Sequence, residues 1–144
     1  MTLQQTDVGV GQITRGASRR SPEIFIPLKA RDAAPEFWGW KDQFVEDAKR
    51  PGKFDRRGVG MRLGAAVISV NMMTWPAKHD FRLRSEALRS AGQVGDIMRV
   101  ERVVPGSGFK YYVEMIPPGT TQYRIFLDLC TQAVPNSPRT YGYY

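Results

Sequence analysis

The sequence contains very few of the residues on which metal-dependent and nucleophilic chemistry usually rely. Cys130 is the only cysteine and His79 the only histidine among 144 residues. A single cysteine excludes a disulfide framework within the chain, and a zinc site needs more cysteine or histidine than the chain has. We interpret Cys130 as a small core residue, and we expect neither a metal nor another cofactor.

Recognisable catalytic motifs are also missing. No Gly-x-Ser-x-Gly turn accompanies His79, the one histidine that a Ser-His-Asp set would have to use. Neither Glu101 nor Glu114 is followed two positions later by the lysine of a metal-dependent nuclease strand. The Gly58-Val-Gly60 segment by itself is a weak match to a phosphate-binding loop. We therefore expect no catalytic residue in this chain.

The sequence has no long apolar run. None approaches the ~20 residues that a membrane-spanning helix needs. The opening MTLQQTDVGVGQ lacks the charged and apolar regions of a secretory signal. We expect no membrane partner and a cytoplasmic location. The hydrophobic fraction of 42% and the aromatic fraction of 11% predict a chain that folds around a core.

Basic residues outnumber acidic ones by 21 to 14, which gives a formal net charge of +7. The cations lie in three clusters, at 15–31, 49–62 and 78–89, each next to a predicted strand end. Such a balance favours a polyanionic partner, nucleic acid before a membrane surface. A soluble protein that merely has a basic surface is the alternative at this point.

Hydrophobic periodicity predicts strands at 23–28, 67–73, 80–84, 97–103 and 109–115. It predicts one helix over 35–50, stopped by Pro51-Gly52, and a second over 86–91 that Ser85 caps and Gly92 ends. A third helix follows Thr120 or Thr121. We divide the chain into a flexible basic lead-in, 1–20, and a single domain, 21–144.

The pattern of the stretch 71–100 is more typical of a surface that recognises a base sequence than of a catalytic cleft. Its predicted hairpin combines donors and acceptors on a rigid frame, as sequence-specific contacts to bases require. Arginine or lysine suits guanine, aspartate suits the amino group of cytosine, and Met73 or Trp75 can contact a thymine methyl. A solvated surface is the alternative for His79. The predicted base-contacting residues are Lys29, Arg31, Asp32, Met73, Trp75, Lys78, His79, Asp80 and Arg82.

Further cations next to glycines and strand ends suit the phosphate backbone, where contacts bind without reading sequence. For the cluster before the first strand, a solvated tail is an equal alternative. The predicted phosphate-contacting residues are Arg15, Arg19, Arg20, Arg56, Arg57, Arg62 and Arg84.

The order of these elements resembles the B-three-type DNA-binding pseudobarrel. The segments that carry the resemblance are EIFIPLKARDAAPEFWGW and DFRLRSEALRSAGQVGDIMRVER, within roughly residues 20 to 116. This domain occurs in plant transcription factors such as the auxin-response factors, and as the specificity domain of restriction endonucleases of the EcoRII, BfiI and NgoFVII type.

The resemblance implies a mostly β (α+β) fold, a seven-stranded open pseudobarrel with short flanking helices that grips double-stranded DNA in the major groove. One reading arm would match Lys29, Arg31 and Asp32, and the other the segment 73–82. The chain would be the non-catalytic target-recognition domain of a type II restriction endonuclease, in a prokaryotic cytoplasm near the nucleoid. A separate nuclease domain of the same protein would cut, and the opening Met favours an N-terminal place for this one.

Two alternatives from other functional classes remain. The first is a small nuclease with an unrecognised active site. The second is a binder of RNA or single-stranded nucleic acid that stacks bases on Trp38, Trp75 and the tyrosines, although a tryptophan at helical spacing, such as Trp38 or Trp40, is more often part of the core.

Overall fold

The computed structural model describes residues 1–8 and 21–144. Short helices flank a set of longer strands. The helices are α1 (Gln5–Val8), α2 (Leu28–Ala33), α3 (Pro35–Trp38), α4 (Glu86–Ala91) and α5 (Thr121–Leu129), with a 3-10 turn at Pro76–Lys78. The strands are β1 (Glu23–Phe25), β2 (Val45–Glu46), β3 (Phe54–Leu63), β4 (Ala66–Trp75), β5 (Asp80–Arg84), β6 (Ile97–Arg102), β7 (Tyr111–Ile116), β8 (Gln132–Ala133) and β9 (Thr140–Tyr141).

Within the described residues, seven strands form one strongly curled, open sheet shaped like a half-barrel. Its order is β1-β5-β4-β3-β7-β6, and β2 pairs with β3 beside this path. All pairs are antiparallel except β3 with β7, while β8 and β9 form a separate two-stranded hairpin. The prediction of a mostly β, open, seven-stranded sheet with short helices is confirmed at this level.

The core lies on one side of the sheet, because apolar residues alternate along the central strands. Val70 and Met72 on β4 are fully buried, as are Leu83 and, almost completely, Phe81 on β5. The register pairs Met72 with Leu83, so side chains from neighbouring strands meet inside the sheet. The residues between them point to the opposite side of the sheet.

The predicted helix over 35–50 is wrong beyond its first turn. Helix α3 ends at Trp38, and Gly39 follows with a φ of +72°, a left-handed conformation that glycine adopts without strain. The apolar spacing that suggested a helix instead serves aromatic packing, since Trp40 contacts both Phe44 and Phe54 edge to face. Val45 is exposed and belongs to β2.

The first predicted strand is too long. It ends at Phe25, and α2 begins at Leu28. The charged side chains that were predicted to lie in a loop therefore lie on a helix. Pro27 occupies the N-cap position, and its fixed φ suits the start of a helix. The helical backbone consequently fixes the relative positions of Lys29, Arg31 and Asp32 within about one turn.

The predicted helix at 86–91 is confirmed together with its cap. The Ser85 hydroxyl accepts a hydrogen bond from the backbone N–H of Leu88 at 3.3 Å. Thr120 caps α5 in the same way, accepting from the N–H of Tyr123 at 3.0 Å. At nine residues α5 is the longest helix in the described part of the chain, where no helix has the length and apolar character to cross a membrane.

The first eight residues pack against the domain, contacts that their assignment to a flexible lead-in did not foresee. Leu3 is fully buried, and Thr2 forms an isolated bridge with Ile97. The buried carboxylate of Asp7 accepts from Arg139 Nη2 at 2.5 Å and so joins the two ends of the described chain. The remainder of the predicted lead-in, 9–20, lies outside the described residues.

Candidate nucleic-acid interface

The side of the sheet that faces away from the core, which we call the outer face, carries several charged side chains, among them Asp55, Arg82 and Arg84. Register places Phe25 of β1 opposite Arg82 of β5, and Arg82 opposite Met73 of β4. Met73 in turn lies opposite Asp55 of β3. Because directly paired residues project from the same side of a sheet, these four side chains form one row across four strands. The predicted base-contacting residues Met73 and Arg82 therefore lie side by side.

Arg82 is the most heavily bonded cation of the outer face. It forms an ion pair with Asp80 two residues earlier, and its Nη1 donates to Glu23 Oε2 at 2.6 Å. Its guanidinium also lies 4.7 Å from the centre of the Phe25 ring. Burial by itself would lower the pKa of Arg82, but the hydrogen bonds to Asp80 and Glu23 outweigh that effect and raise it. Both carboxylate oxygens of Asp80 are bonded to Arg82. This pair is a fixed part of the surface.

A second ion-pair network on the outer face was not predicted from the sequence. Lys53 is buried and pairs with Asp55, and it lies 3.5 Å from a carboxylate oxygen of Asp47. Arg57 lies 3.6 Å from Asp55, but its side chain is 77% exposed. The alternation of Asp55 and Arg57 along one strand was a usable signal, whereas nothing local predicted that Lys53 would be buried.

The turn between β4 and β5 presents exposed donors. Lys78 Nζ lies 3.6 Å from the centre of the half-buried Trp75 ring, a cation–π contact that orients the ammonium group. His79 follows with a φ of +51° and is exposed. The predicted base-contacting residues of this segment are therefore split between a projecting turn and the outer face.

Helix α2 is joined to this turn by hydrogen bonds. Arg31 Nη1 donates to Thr74 Oγ1 at 2.5 Å, and the Thr74 hydroxyl donates to the backbone carbonyl of Asp80 at 2.8 Å. Arg31 is only 4% exposed, and its guanidinium lies 4.3 Å from the centre of the Trp40 ring. The two predicted arms, more than forty positions apart in sequence, are thus held as one body. We name the exposed residues that they present together the α2–turn ridge: Lys29, Asp32, Lys78 and His79.

The predicted phosphate-contacting arginines occupy different environments. Arg56 is half-buried, and its Nη1 donates to the carbonyl of Trp38 at 2.7 Å and to the Tyr111 hydroxyl at 3.0 Å. Arg84 is exposed on the outer face opposite Asn71, and it makes no ion pair with any described residue. Arg62 is exposed and donates to the carbonyl of Gly64 at 3.2 Å. Three others, Arg15, Arg19 and Arg20, lie outside the described residues.

Trp38 is a core residue, which confirms the more ordinary of its two interpretations. It is buried, its Nε1 donates to the carbonyl of Ala30 at 3.3 Å, and it stacks with Tyr111. It is unavailable as a stacking platform for bases. Trp75 is half-buried beneath Lys78, and among the tyrosines of that proposed set Tyr143 and Tyr144 are exposed.

A concave feature of another kind lies between β6, α2, α3 and the C-terminal residues. It has a volume of about 420 Å³ and is lined largely by apolar and aromatic side chains, among them Phe37, Met98 and Tyr141. Arg99 reaches it and is bonded to Glu101, Glu114 and the Tyr144 hydroxyl. The cavity has no counterpart among the sequence-based predictions, because its walls come from segments far apart in the chain.

The described residues contain no group of three or more histidine, cysteine, aspartate or glutamate side chains arranged to hold a metal ion. What the interface does present is exposed donors and a carboxylate on a framework fixed by ion pairs and buried hydrogen bonds. A scan against protein-family models finds no match, and a search of curated proteins finds none either.

Proposed function

We propose that this chain recognises double-stranded DNA by sequence, through the α2–turn ridge and the neighbouring outer face. The observation that carries the proposal is the Arg31–Thr74–Asp80 connection, which fixes α2 and the β4–β5 turn relative to each other. Sequence reading needs donors and acceptors held in a defined geometry. Exposed cations alone would bind any polyanion.

The roles of individual residues follow from their exposure. Lys29, Lys78 and His79 are exposed donors on the α2–turn ridge, so they are our candidates for base edges. Arg57 and Arg84 are exposed on the outer face, and we assign them to phosphates. Arg31, Arg56 and Arg82 are held by partners within the protein. We assign these three to support of the surface, in place of the DNA contacts predicted from the sequence.

We further propose that the curled seven-stranded sheet is a B-three-type pseudobarrel and that the chain serves as the target-recognition domain of a type II restriction endonuclease. The motif resemblance supports this assignment, and the open sheet with short flanking helices is compatible with it. In that role the chain is not itself an enzyme. A separate nuclease domain of the same protein cleaves, and the DNA target lies in a prokaryotic cytoplasm.

Selection of bound duplexes from a randomised library, at near-physiological salt, tests the proposal. We expect a consensus of a few base pairs. A duplex carrying it should compete far better than its separated strands. Enrichment of single strands instead would favour the RNA or single-strand alternative, and cleavage with Mg²⁺ that stops with EDTA would favour a nuclease.

Arg57→Ala tests whether the exposed arginines contact phosphates, while the internally bonded arginines only support the surface. We expect weaker binding to all duplexes alike and a dependence of log K on log salt that is shallower by about 1. Arg124→Ala is the control, because Arg124 is an exposed arginine on α5, outside both the α2–turn ridge and the outer face. Equal loss of binding in both variants would contradict the assignment of the DNA surface.

A further inference from the structure

We infer that Asp32 determines specificity at one base pair by accepting a hydrogen bond from the N4 amino group of a cytosine, and that Arg31 is the residue that positions it. This inference rests on the proposed function and reverses the expectation that Arg31 itself reads a base. It assigns the one exposed carboxylate of the α2–turn ridge a defined ligand.

The position of the Asp32 carboxylate is fixed from inside the protein. Arg31 Nε and Nη2 both donate to Asp32 Oδ1, at 2.9 and 2.5 Å. The same guanidinium is held by Thr74 and lies against the Trp40 ring. Arg31 is therefore fixed on three sides and cannot easily turn toward a ligand. A carboxylate bonded to a buried, immobile guanidinium loses little further freedom on binding.

The second oxygen of this carboxylate remains available. The Asp32 side chain is 52% exposed, and its Oδ2 has no hydrogen-bond partner among the described residues. Asp80, the other acid predicted to read a base, differs because Arg82 occupies both of its oxygens and its side chain is only 14% exposed. Of the two acids, Asp32 is the one with an acceptor to offer.

The chemistry of a carboxylate selects the base. An ionised carboxylate only accepts hydrogen bonds. In the major groove guanine presents two acceptors and thymine an acceptor with a methyl group, so both repel it. Adenine offers an amino group beside the N7 acceptor, whereas the cytosine edge offers the N4 amino group alone. Cytosine is the base that gives Oδ2 a donor without an opposing acceptor.

The pairing with Arg31 also explains how an acid can lie on a DNA-binding surface. An isolated carboxylate would be repelled by the phosphates. Here the guanidinium balances its charge at hydrogen-bonding distance and, being buried, is screened little by salt. The pair approaches DNA as a neutral unit with one directed acceptor.

The test compares wild type with Asp32→Asn on the duplex selected by the wild-type protein. Each cytosine is replaced in turn, and one duplex set carries N4-methylcytosine, which removes the groove-facing amino hydrogen. Wild type should lose roughly 5- to 100-fold in affinity at one cytosine, both on replacement and on N4-methylation. Asp32→Asn should bind the parent and altered duplexes nearly equally. Asp42→Asn, which changes an exposed acid outside the α2–turn ridge, should keep the wild-type profile.

Two variants of Thr74 test whether Arg31 positions Asp32. Thr74→Val removes the hydroxyl that anchors Arg31, whereas Thr74→Ser retains it. We expect the valine variant to discriminate less at the same cytosine and the serine variant to restore discrimination, with both folded by circular dichroism. An unchanged base profile in Asp32→Asn would overturn the inference and leave the proposed function standing. Absence of any consensus for wild type would overturn the proposed function itself.

Discussion

At the residue scale, the buried Arg31 and the half-buried Arg56 hold distant segments of the protein together. Arg31 and Arg56 each donate to groups brought from distant parts of the chain. Arg56 links the carbonyl of Trp38 to the hydroxyl of Tyr111, so a strand, a helix end and a second strand meet at one guanidinium. Sequence cannot distinguish such arginines from exposed ones, because their partners are far away in the chain: Thr74 is 43 positions from Arg31, and Tyr111 is 55 positions from Arg56.

Tyr111→Phe tests this internal cluster through its pH dependence. Burial raises the pKa of Tyr111 above its ordinary value of 10.0, although the neighbouring Arg56 lowers it. A raised pKa means that stability is fully present below about pH 10 and is lost as pH rises through the higher value. Urea unfolding at pH 8 to 12 should show this loss in wild type and less of it in Tyr111→Phe.

Tyr111→Phe should also lower the free energy of unfolding at neutral pH. The Tyr111 hydroxyl donates to the carbonyl of Phe37 and accepts from Arg56, so its removal leaves two half-buried partners with one bond fewer. We expect a loss of about 1–3 kcal/mol in the free energy of unfolding at pH 7. An identical fall above pH 10 in both proteins would show that Tyr111 is not the titrating group.

At the element scale, the sequence predicts best where local rules dominate. The strand Asp80–Arg84 and the helix Glu86–Ala91 match their predicted ranges, because strict alternation and a serine cap act within a few residues. The segment 35–50 failed because its aromatic spacing mimics a helical face while Gly39 ends the helix. Glu23 was missed as a partner of Arg82, since 59 positions separate them.

Gly92 ends α4 as predicted, but without the left-handed conformation that is typical of a glycine at a helix end. Its φ is −97°, which any residue can adopt. Space is what requires glycine there, because an added Cβ would lie 2.7 Å from Leu3 Cδ1 and 3.1 Å from Val8 Cγ1. The N-terminal residues, which no local signal placed near α4, impose the constraint.

Gly92→Ala separates these two explanations. If only backbone freedom mattered, alanine would stabilise the protein by about 0.4–1 kcal/mol. We expect a loss of about 1–3 kcal/mol from overpacking against the buried Leu3. In a Leu3→Ala background, which removes the shortest contact of the added Cβ, the same change should cost less, and an undiminished cost would rule out that contact. Urea unfolding of the four proteins gives this coupling directly.

At the scale of the whole molecule, one buried ion pair connects the beginning and end of the described chain. Asp7 is 0% exposed and accepts from the N–H groups of Gln4 and Phe25 as well as from Arg139. Its site therefore joins α1, the edge strand β1 and the β8–β9 hairpin. A break in this pair leaves a buried guanidinium without its counter-charge.

Asp7→Asn should accordingly cost about 3–5 kcal/mol of stability, measured by urea unfolding. Arg57→Ala removes a 77% exposed side chain, and Asp55 keeps its ion pair with Lys53, so the cost should be less than about 1 kcal/mol. Similar losses in the two variants would indicate that the chain ends are held by apolar contacts such as Leu3, with little from Asp7.

The most direct measurement is an amide chemical-shift map of the intact chain, recorded before and after addition of a duplex selected from the randomised library. Our account predicts changes in α2, in the β4–β5 turn and along β3, centred on Asp32, Lys78 and Arg57. A scrambled duplex at the same salt should give smaller changes, concentrated at the phosphate-contacting residues. Changes confined to β6, α5 and the C-terminal residues around the cavity would contradict the assignment of the outer face and the α2–turn ridge as the DNA surface.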